Sequence, residues 1–356
     1  MGTAVGRAFS GLRASNDLSV LRYTVLWHYS VYGLRLRTDL PIPGLSASRE
    51  AEDADVEVRF QCVPRWLRQE VEEAKEKWCG LNRGEDGKPT LQIKQTEDGQ
   101  YLLFVYSEGV EFIVDVEGTR VWACWQDKLN LGDVLYYLRG PILGLVLRLR
   151  GITSLHASGF SIQGQAIAIM GPGGSGKSTL AAVFGRRGYP VLTDDILALR
   201  DEIDSFRVQP GYPNLLLWPE SVNALYGSKE ALPYITPGWE KRYLDTIAEG
   251  HAFAREPLPL AAIYVLGERS PNPEAPVIEA LQGSNSLMAL LLNTYGLYLT
   301  DRSMRARDFE LLGRVAAYVP IRRVTPHAEA SRVAGLCDRI LEDAAALIPS
   351  LVTKEN

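Results

Sequence analysis

The chain is poor in the residues that metal-thiolate, membrane-spanning and polyanion-binding proteins are built from. Its four cysteines, Cys62, Cys79, Cys124 and Cys337, stand far apart with no CxxC pair. That excludes a zinc knuckle or dithiol of adjacent thiols and reads as reduced, mostly buried cysteine. Histidine is equally scarce: His28, His251 and His327 have no metal-ligand spacing, which leaves His156 alone beside a motif. The most apolar run, Ile142 to Leu149, is interrupted by Arg148 and is too short to span a bilayer. The amino terminus has scattered arginines but no apolar core with a cleavage site, so a cytoplasmic protein without a membrane partner is expected. A formal net charge of −5 opposes attraction to phosphate backbones, so no nucleic-acid partner is expected either.

What is present describes an ordinary globular protein of generous size. With 46% hydrophobic and 23% charged residues the chain can bury a sizeable core, and 356 residues favour two domains. From Val25 to Gln126, short alternating or β-branched runs alternate with turn signals. The runs are Tyr32–Leu36, Ala54–Phe60, Leu91–Lys94, Tyr101–Tyr106, Val110–Val116 and Arg120–Trp125. Between them, Arg65 to Trp78 has the charges and spacing of a solvated amphipathic helix, and Asn82 to Pro89 reads as a loop. Leu131 to Arg150 changes to helical period with a Gly140-Pro141 break, which predicts a kinked helix and a domain boundary nearby. The expected division is a β-rich domain over 1–145 that helps hold an acceptor, then a catalytic domain over 146–356. Ser154–Ile162, a Gln163-Gly164 turn and Ala166–Met170 form a predicted hairpin, and Ala328 to Leu347 a predicted amphipathic helix.

The chemistry gathers behind that hairpin. Gly171-Pro172-Gly173-Gly174-Ser175-Gly176-Lys177-Ser178 satisfies G-x-x-x-x-G-K-[ST] between a predicted strand and a predicted helix, which is the context of a P-loop. Its glycines let backbone N–H groups close around phosphate oxygens. Lys177 reaches the β and γ phosphates, Ser178 offers a hydroxyl to Mg²⁺, and Thr179 continues into the helix whose positive end faces the anion. The cofactors implied are ATP and Mg²⁺. The helix ends at Gly188, and Pro190 to Thr193 reads as a buried strand delivering Asp194 and Asp195 at its carboxyl end. One carboxylate can hold a metal while the other takes a proton from an attacking hydroxyl. Alternatively, the pair only makes a turn. Lys241 and Arg242 are candidate phosphate or acceptor contacts, or else a solvated pair, and Trp218, Trp239 and Tyr243 could line an acceptor groove.

Taken together, Leu155 to Gly164 (LHASGFSIQG), the P-loop and Val191 to Leu199 (VLTDDILAL) resemble the catalytic core of the HPr serine kinase/phosphorylase family over Ser154 to Arg200. The resemblance implies an α/β (α+β) fold related to phosphoenolpyruvate carboxykinase, with a P-loop on a mixed sheet. It also implies active-site roles for His156, Lys177, Ser178, Asp194 and Asp195. The acidic pair would supply the general base, and Ser178 with Asp195 the metal site. Where that family has a glutamate–arginine–glycine signature, Gln209 to Pro219 (QPGYPNLLLWP) stands here. This stretch and Lys241-Arg242-Tyr243 look more like HPr-kinase-like proteins that tailor lasso peptides, which implies a serine or threonine hydroxyl of a peptide or small protein as acceptor. A P-loop hydrolase or switch, and a kinase of a small-molecule hydroxyl, are the alternatives, and assembly as a homo-oligomer stays open.

Overall fold

The computed structural model describes residues 25–48, 53–84, 87–203, 205–235, 239–296, 299–329 and 332–352. The reading of the amino terminus as free of a leader concerns residues outside these. Two eight-stranded sheets and a two-stranded ribbon make up a mixed α/β architecture, with a helical layer between the large sheets.

The front sheet comprises β1 (Trp27–Val31), β2 (Leu34–Thr38), β3 (Val56–Phe60), β4 (Lys75–Cys79), β5 (Leu91–Gln95), β6 (Tyr101–Tyr106), β7 (Val110–Asp115) and β8 (Arg120–Trp125). Their spatial order is β1-β2-β3-β8-β7-β6-β5-β4. The alternation in β3, with Val56, Val58 and Phe60 buried, and in β2, with Leu34, Leu36 and Thr38 buried, turns one face to the core as a period of two demands. Three expectations need correction. Tyr32-Gly33 is not strand but the turn of the β1–β2 hairpin, with φ of 55° and 78°. Arg65 to Trp78 is not one helix: α1 (Arg65–Glu72) stops, and Lys75 onward forms the edge strand β4. The charges there are spent across the sheet, with Lys75 Nζ on Glu97 (2.6 Å) and Lys77 Nζ on Gln95 (2.8 Å). The cysteines are free as expected, but only Cys337 is buried; Cys62 is exposed, and Cys79 and Cys124 are half-buried.

The kinked helix is present as α2 (Leu131–Tyr137), a π-turn over Leu138–Ile142 that contains Pro141, and α3 (Leu143–Leu149). Asn130 caps α2, accepting from the Gly132 and Asp133 N–H groups while Asp133 accepts from its own, a box worth about 1 kcal/mol. Leu138, Ile142, Leu143 and Val146 pack into one cluster with Leu36, Val58, Phe104 and Phe112 of the front sheet, Ile196 and Ala198 of the next and Tyr212 of a following loop. Residue 145 therefore lies inside a helix whose core spans both sheets.

The second sheet is assembled from β9 (Ser154–Ile162), β10 (Gln165–Met170), β11 (Val191–Thr193), β12 (Ile196–Asp201), β13 (Phe206–Val208), β16 (Leu258–Leu266), β17 (Val277–Leu281) and β18 (Ile321–Thr325). The pairings β9–β10, β10–β16, β16–β13, β13–β12 and β12–β9 close a ring. β16 runs parallel to both β10 and β18, and β17 lies at the outer edge. A ribbon of β14 (Asn214–Leu217) and β15 (Arg242–Asp245) sits beside it. Around these strands lie α4 (Lys177–Arg186), α5 (Pro219–Tyr226), α6 (Ser284–Leu292), α7 (Arg302–Tyr318) and α8 (Val333–Val352), the last displaced toward the carboxyl end of its predicted span. Phe184 of α4 stacks on Phe160 of β9 with ring centroids 3.8 Å apart, which fastens the helix over the sheet and so sets where its amino terminus points. Among the described residues no helix is long and apolar enough to cross a membrane.

Candidate functional site

β10 ends at Met170 and the chain turns through Gly171 to Gly176 into α4. Gly171, Gly174 and Gly176 have φ of 147°, 77° and 108°, values that side-chain-bearing residues adopt only under strain. Gly173 has no positive φ, and a Cβ there would meet nothing within 4 Å. No contact among the described residues therefore demands a glycine at this position. The buried ammonium of Lys177 folds back onto the carbonyls of Gly171 (2.8 Å) and Pro172 (3.1 Å). Burial holds it below its ordinary pKa despite the attraction of Asp194 and Asp195. Ser175 Oγ is buried without a hydrogen-bond partner among the described residues, and Thr179 Oγ1 meets Ser221 Oγ at 2.8 Å.

Asp194 and Asp195 occupy the turn between β11 and β12, beside the first turn of α4. Asp194 is buried and accepts from Ser158 Oγ (2.5 Å), Ser178 Oγ (2.9 Å) and the Leu216 N–H (3.3 Å). Burial pushes its carboxyl above the ordinary carboxylate range. The Ser158 hydroxyl pulls it back and the neighbouring Asp195 charge adds to the rise. Asp195 has the left-handed φ of 65° and a half-exposed side chain. Burial of its surroundings works upward on it too, but His156 Nε2 at 3.2 Å, the Lys241 charge and the Tyr295 hydroxyl at 3.2 Å prevail. Its carboxyl is thus held below the ordinary range. Two adjacent carboxylates are driven apart in proton affinity, one as a buried hydrogen-bond acceptor and the other as an ionised group facing a cavity.

Of the nominated residues, Ser178 donates to Asp194 and His156 stands on Asp195, while Lys177 turns back onto the loop carbonyls and Thr179 turns to Ser221 on the other side of the loop. Lys241 lines the same cavity as Ser178, Asp194 and Asp195, with its ammonium 5.2 Å from the Trp218 ring centroid. Arg242 does not join them. It is buried on the other side of the ribbon, donating to the Lys229 and Glu240 carbonyls with its guanidinium 3.6 Å from the Tyr234 ring centroid. Ser178 was expected to share a metal with Asp195, yet the carboxylate that touches it is Asp194. Of the aromatic candidates, Trp218 borders the loop, Trp239 packs on Tyr136, and Tyr243 lies near Arg139.

Other participants escaped notice. Ser158 stands two residues after His156 on β9, hence on the same face, a signal the strand period already held. Tyr295 follows α6 and reaches Asp195 from a hundred residues away. Its backbone carbonyl accepts from Arg148 Nη1 (3.0 Å), and Arg148 pairs with the buried Asp308 (2.7 Å), which also accepts from Thr153. A Cβ at Gly144 would lie 2.2 Å from the Tyr295 ring, so the phenol is clamped from the helical layer as well. No local pattern marks such a contact.

Two hollows flank the loop. On one side a pocket of about 370 Å³ is bounded by Gly174, Ser175, Gly176 and Thr179 together with Trp218, Arg269, His327 and Arg332. On the other a cavity of about 90 Å³ lies among Ser178, Asp194, Asp195, Tyr32, Tyr136, Arg139, Tyr212, Asn214 and Lys241. A groove of about 440 Å³ on the front sheet is larger but holds none of the nominated residues. Among the described residues no three His, Cys, Asp or Glu form a metal cluster. The hard oxygens of Ser178 and Asp194 suit a magnesium ion, which keeps water and phosphate oxygens as most of its ligands.

No family model matches the chain, and no curated protein does. Among solved structures it is similar to the Hpr(Ser) kinase/phosphatase from Coxiella burnetii, with 11% identity and a TM-score of 0.34, over 57% of this chain and 96% of that one. At that level the likeness is distant.

Proposed function

We propose that the chain is an ATP- and Mg²⁺-dependent kinase that transfers the γ-phosphoryl group to a serine or threonine hydroxyl of a peptide or small protein. A single observation supports this reading best: the glycine-rich loop, with Lys177 and Ser178, lies between a nucleoside-sized pocket and a small polar cavity holding an ionised Asp195. In this arrangement the loop N–H groups, the amino terminus of α4 and Lys177 bind the triphosphate. Ser178 and Asp194 would hold Mg²⁺, which neutralises phosphate charge when bound. The acceptor oxygen bonds to the γ-phosphorus while the bond from that phosphorus to the β–γ bridging oxygen breaks. Asp195 receives the hydroxyl proton, giving a phosphate ester and ADP. His156 and Tyr295 keep Asp195 ionised and aimed, and Lys241 balances charge from the far wall. A cytoplasmic setting and the lack of a nucleic-acid or membrane partner follow from composition, and a lasso-peptide precursor from the resemblance alone.

The test is transfer from γ-labelled ATP to a pool of serine- and threonine-containing peptides, with phosphate release measured in parallel. Lys177→Ala should lower transfer by about 10²–10³-fold while the thermal melt stays near that of the parent. Rapid phosphate release that ignores the peptides would point to a hydrolase or switch. Full transfer by a folded Lys177→Ala protein would refute the assignment of the loop.

A further inference from the structure

The tip of the front hairpin departs from the chemistry that its turn asks for. Val31 pairs with Leu34, so Tyr32 and Gly33 form a two-residue turn with φ of 55° and 78°. Such turns favour Asn, Asp or Gly, because a bulky side chain strains the left-handed backbone. Here the first position carries a tyrosine, and it is turned inward, with only 2% of the residue exposed. Residues held at such angles cluster at functional sites.

Tyr32 lines the cavity that also holds Ser178, Asp194, Asp195 and Lys241. It is fixed in place by its neighbours. Its N–H donates to the Pro210 carbonyl (2.7 Å), a Cβ at Gly211 would lie 2.8 Å from its ring, and the Tyr212 ring lies beside it with centroids 6.4 Å apart. Packing alone would be served as well by phenylalanine. The Tyr32 hydroxyl has no hydrogen-bond partner among the described residues, and unlike the Tyr212 hydroxyl it is not fully enclosed. Burial pushes the phenol well above its ordinary value, which keeps its proton on, and Asp195 is the charge that adds most to the rise, ahead of Tyr212 and Asp194. A protonated donor thus stands near the ionised carboxylate without being bonded to it.

An alcohol complements such a pair. Its hydrogen goes to the carboxylate, one lone pair accepts from the phenol, and the second lone pair is left to bond phosphorus. We propose that Tyr32 is a further catalytic residue of the transfer, donating to the acceptor oxygen while Asp195 takes that oxygen's proton. This rests on the kinase reading above. The phenol keeps its own proton throughout, and its part is to fix which lone pair faces the phosphorus. The front half of the chain then completes the site itself, with one side chain from a hairpin turn, and does more than present a docking face.

The test uses the full chain, γ-labelled ATP with Mg²⁺, and the most strongly labelled peptide from a serine- and threonine-containing pool. Tyr32→Phe keeps the ring and the tie to Pro210 and removes only the donor. It should raise the KM for the peptide and lower the peptide kcat/KM by about tenfold, with the KM for ATP unmoved. Tyr29→Phe is the control from the same hairpin: the Tyr29 hydroxyl accepts from the Ile42 N–H (2.9 Å), a bond internal to the front half. That variant should melt at a lower temperature and keep the parental KM for the peptide. An unchanged peptide kcat/KM in Tyr32→Phe, or an equal loss in Tyr29→Phe, would overturn the assignment. So would an equal rise in the KM for ATP, since the donor would then face the nucleotide. A parent that labels no peptide removes the kinase reading and the role of Tyr32 with it. If the parent labels one and Tyr32→Phe matches it, only Tyr32 is struck out.

Discussion

The two large sheets spend burial on different things. Among the described residues before Arg148, the buried polar side chains are Thr38 and Thr96. From there on the buried set includes Arg148, Ser154, Ser158, Lys177, Thr193, Asp194, Gln209, Asn214 and Asp308. The front sheet is thus an apolar scaffold that gains from hydrophobic burial with little polar cost. The second half of the chain pays desolvation for polar groups, and three of them, Ser158, Thr193 and Asp194, meet at the turn bearing the acidic pair. Where a protein buries polar atoms against its own stability, binding or chemistry is the usual return.

The sharpest way to break this contrast is Asp195→Asn, which keeps size and loses the base. It should lower phosphoryl transfer by about 10²–10⁴-fold with little change in melting temperature, and single-turnover transfer measures it. Near-parental transfer would mean that Asp195 merely shapes a turn. Leu36→Ala, in the front sheet, should do the reverse, costing about 2–5 kcal/mol in denaturant unfolding while kcat per folded molecule stays the same. A loss of kcat there would show that the scaffold is not passive. The smallest effect refines the picture. In the proposed mechanism Asp195 acts when ionised, and its lowered pKa extends that form to lower pH than an ordinary carboxylate. Tyr295→Phe removes a donor that contributes to that lowering, so the acid limb of the transfer profile should move to higher pH, with kcat on the plateau only several-fold lower. An unmoved limb would deny Tyr295 its part.

Local patterns were legible because local physics writes them. The Gln163-Gly164 turn, with φ of 50° and 78°, joins β9 to β10 where the dipeptide placed it, and α4 ends before Gly188 at a left-handed φ of 87°. The kinked helix shows its Gly-Pro break as a π-turn. Elsewhere the same reading failed for a physical reason. Lys75 to Cys79 has too few apolar residues to announce a strand, and it becomes one because β5 offers an edge and partners for its charges. Lys241 and Arg242 look alike in the sequence, but Lys241, just before the ribbon strand, lines the cavity, while Arg242, the first residue of the strand, is buried against Tyr234. Tyr295 could not be found at all, since it is held in place against Asp195 by Gly144 and Arg148 of α3 and, through Arg148, by Asp308 of α7.

By itself, then, the amino-acid order determined the strand–loop–helix that can wrap an anion, the carboxylates that follow it, and the alternating faces of the front strands, all consequences of backbone geometry within a few residues. Only the tertiary structure decided which carboxylate meets Ser178, which is held in its ionised form and which cation joins them. Those outcomes depend on burial and on neighbours brought from distant parts of the chain, and desolvation is a property of the folded whole.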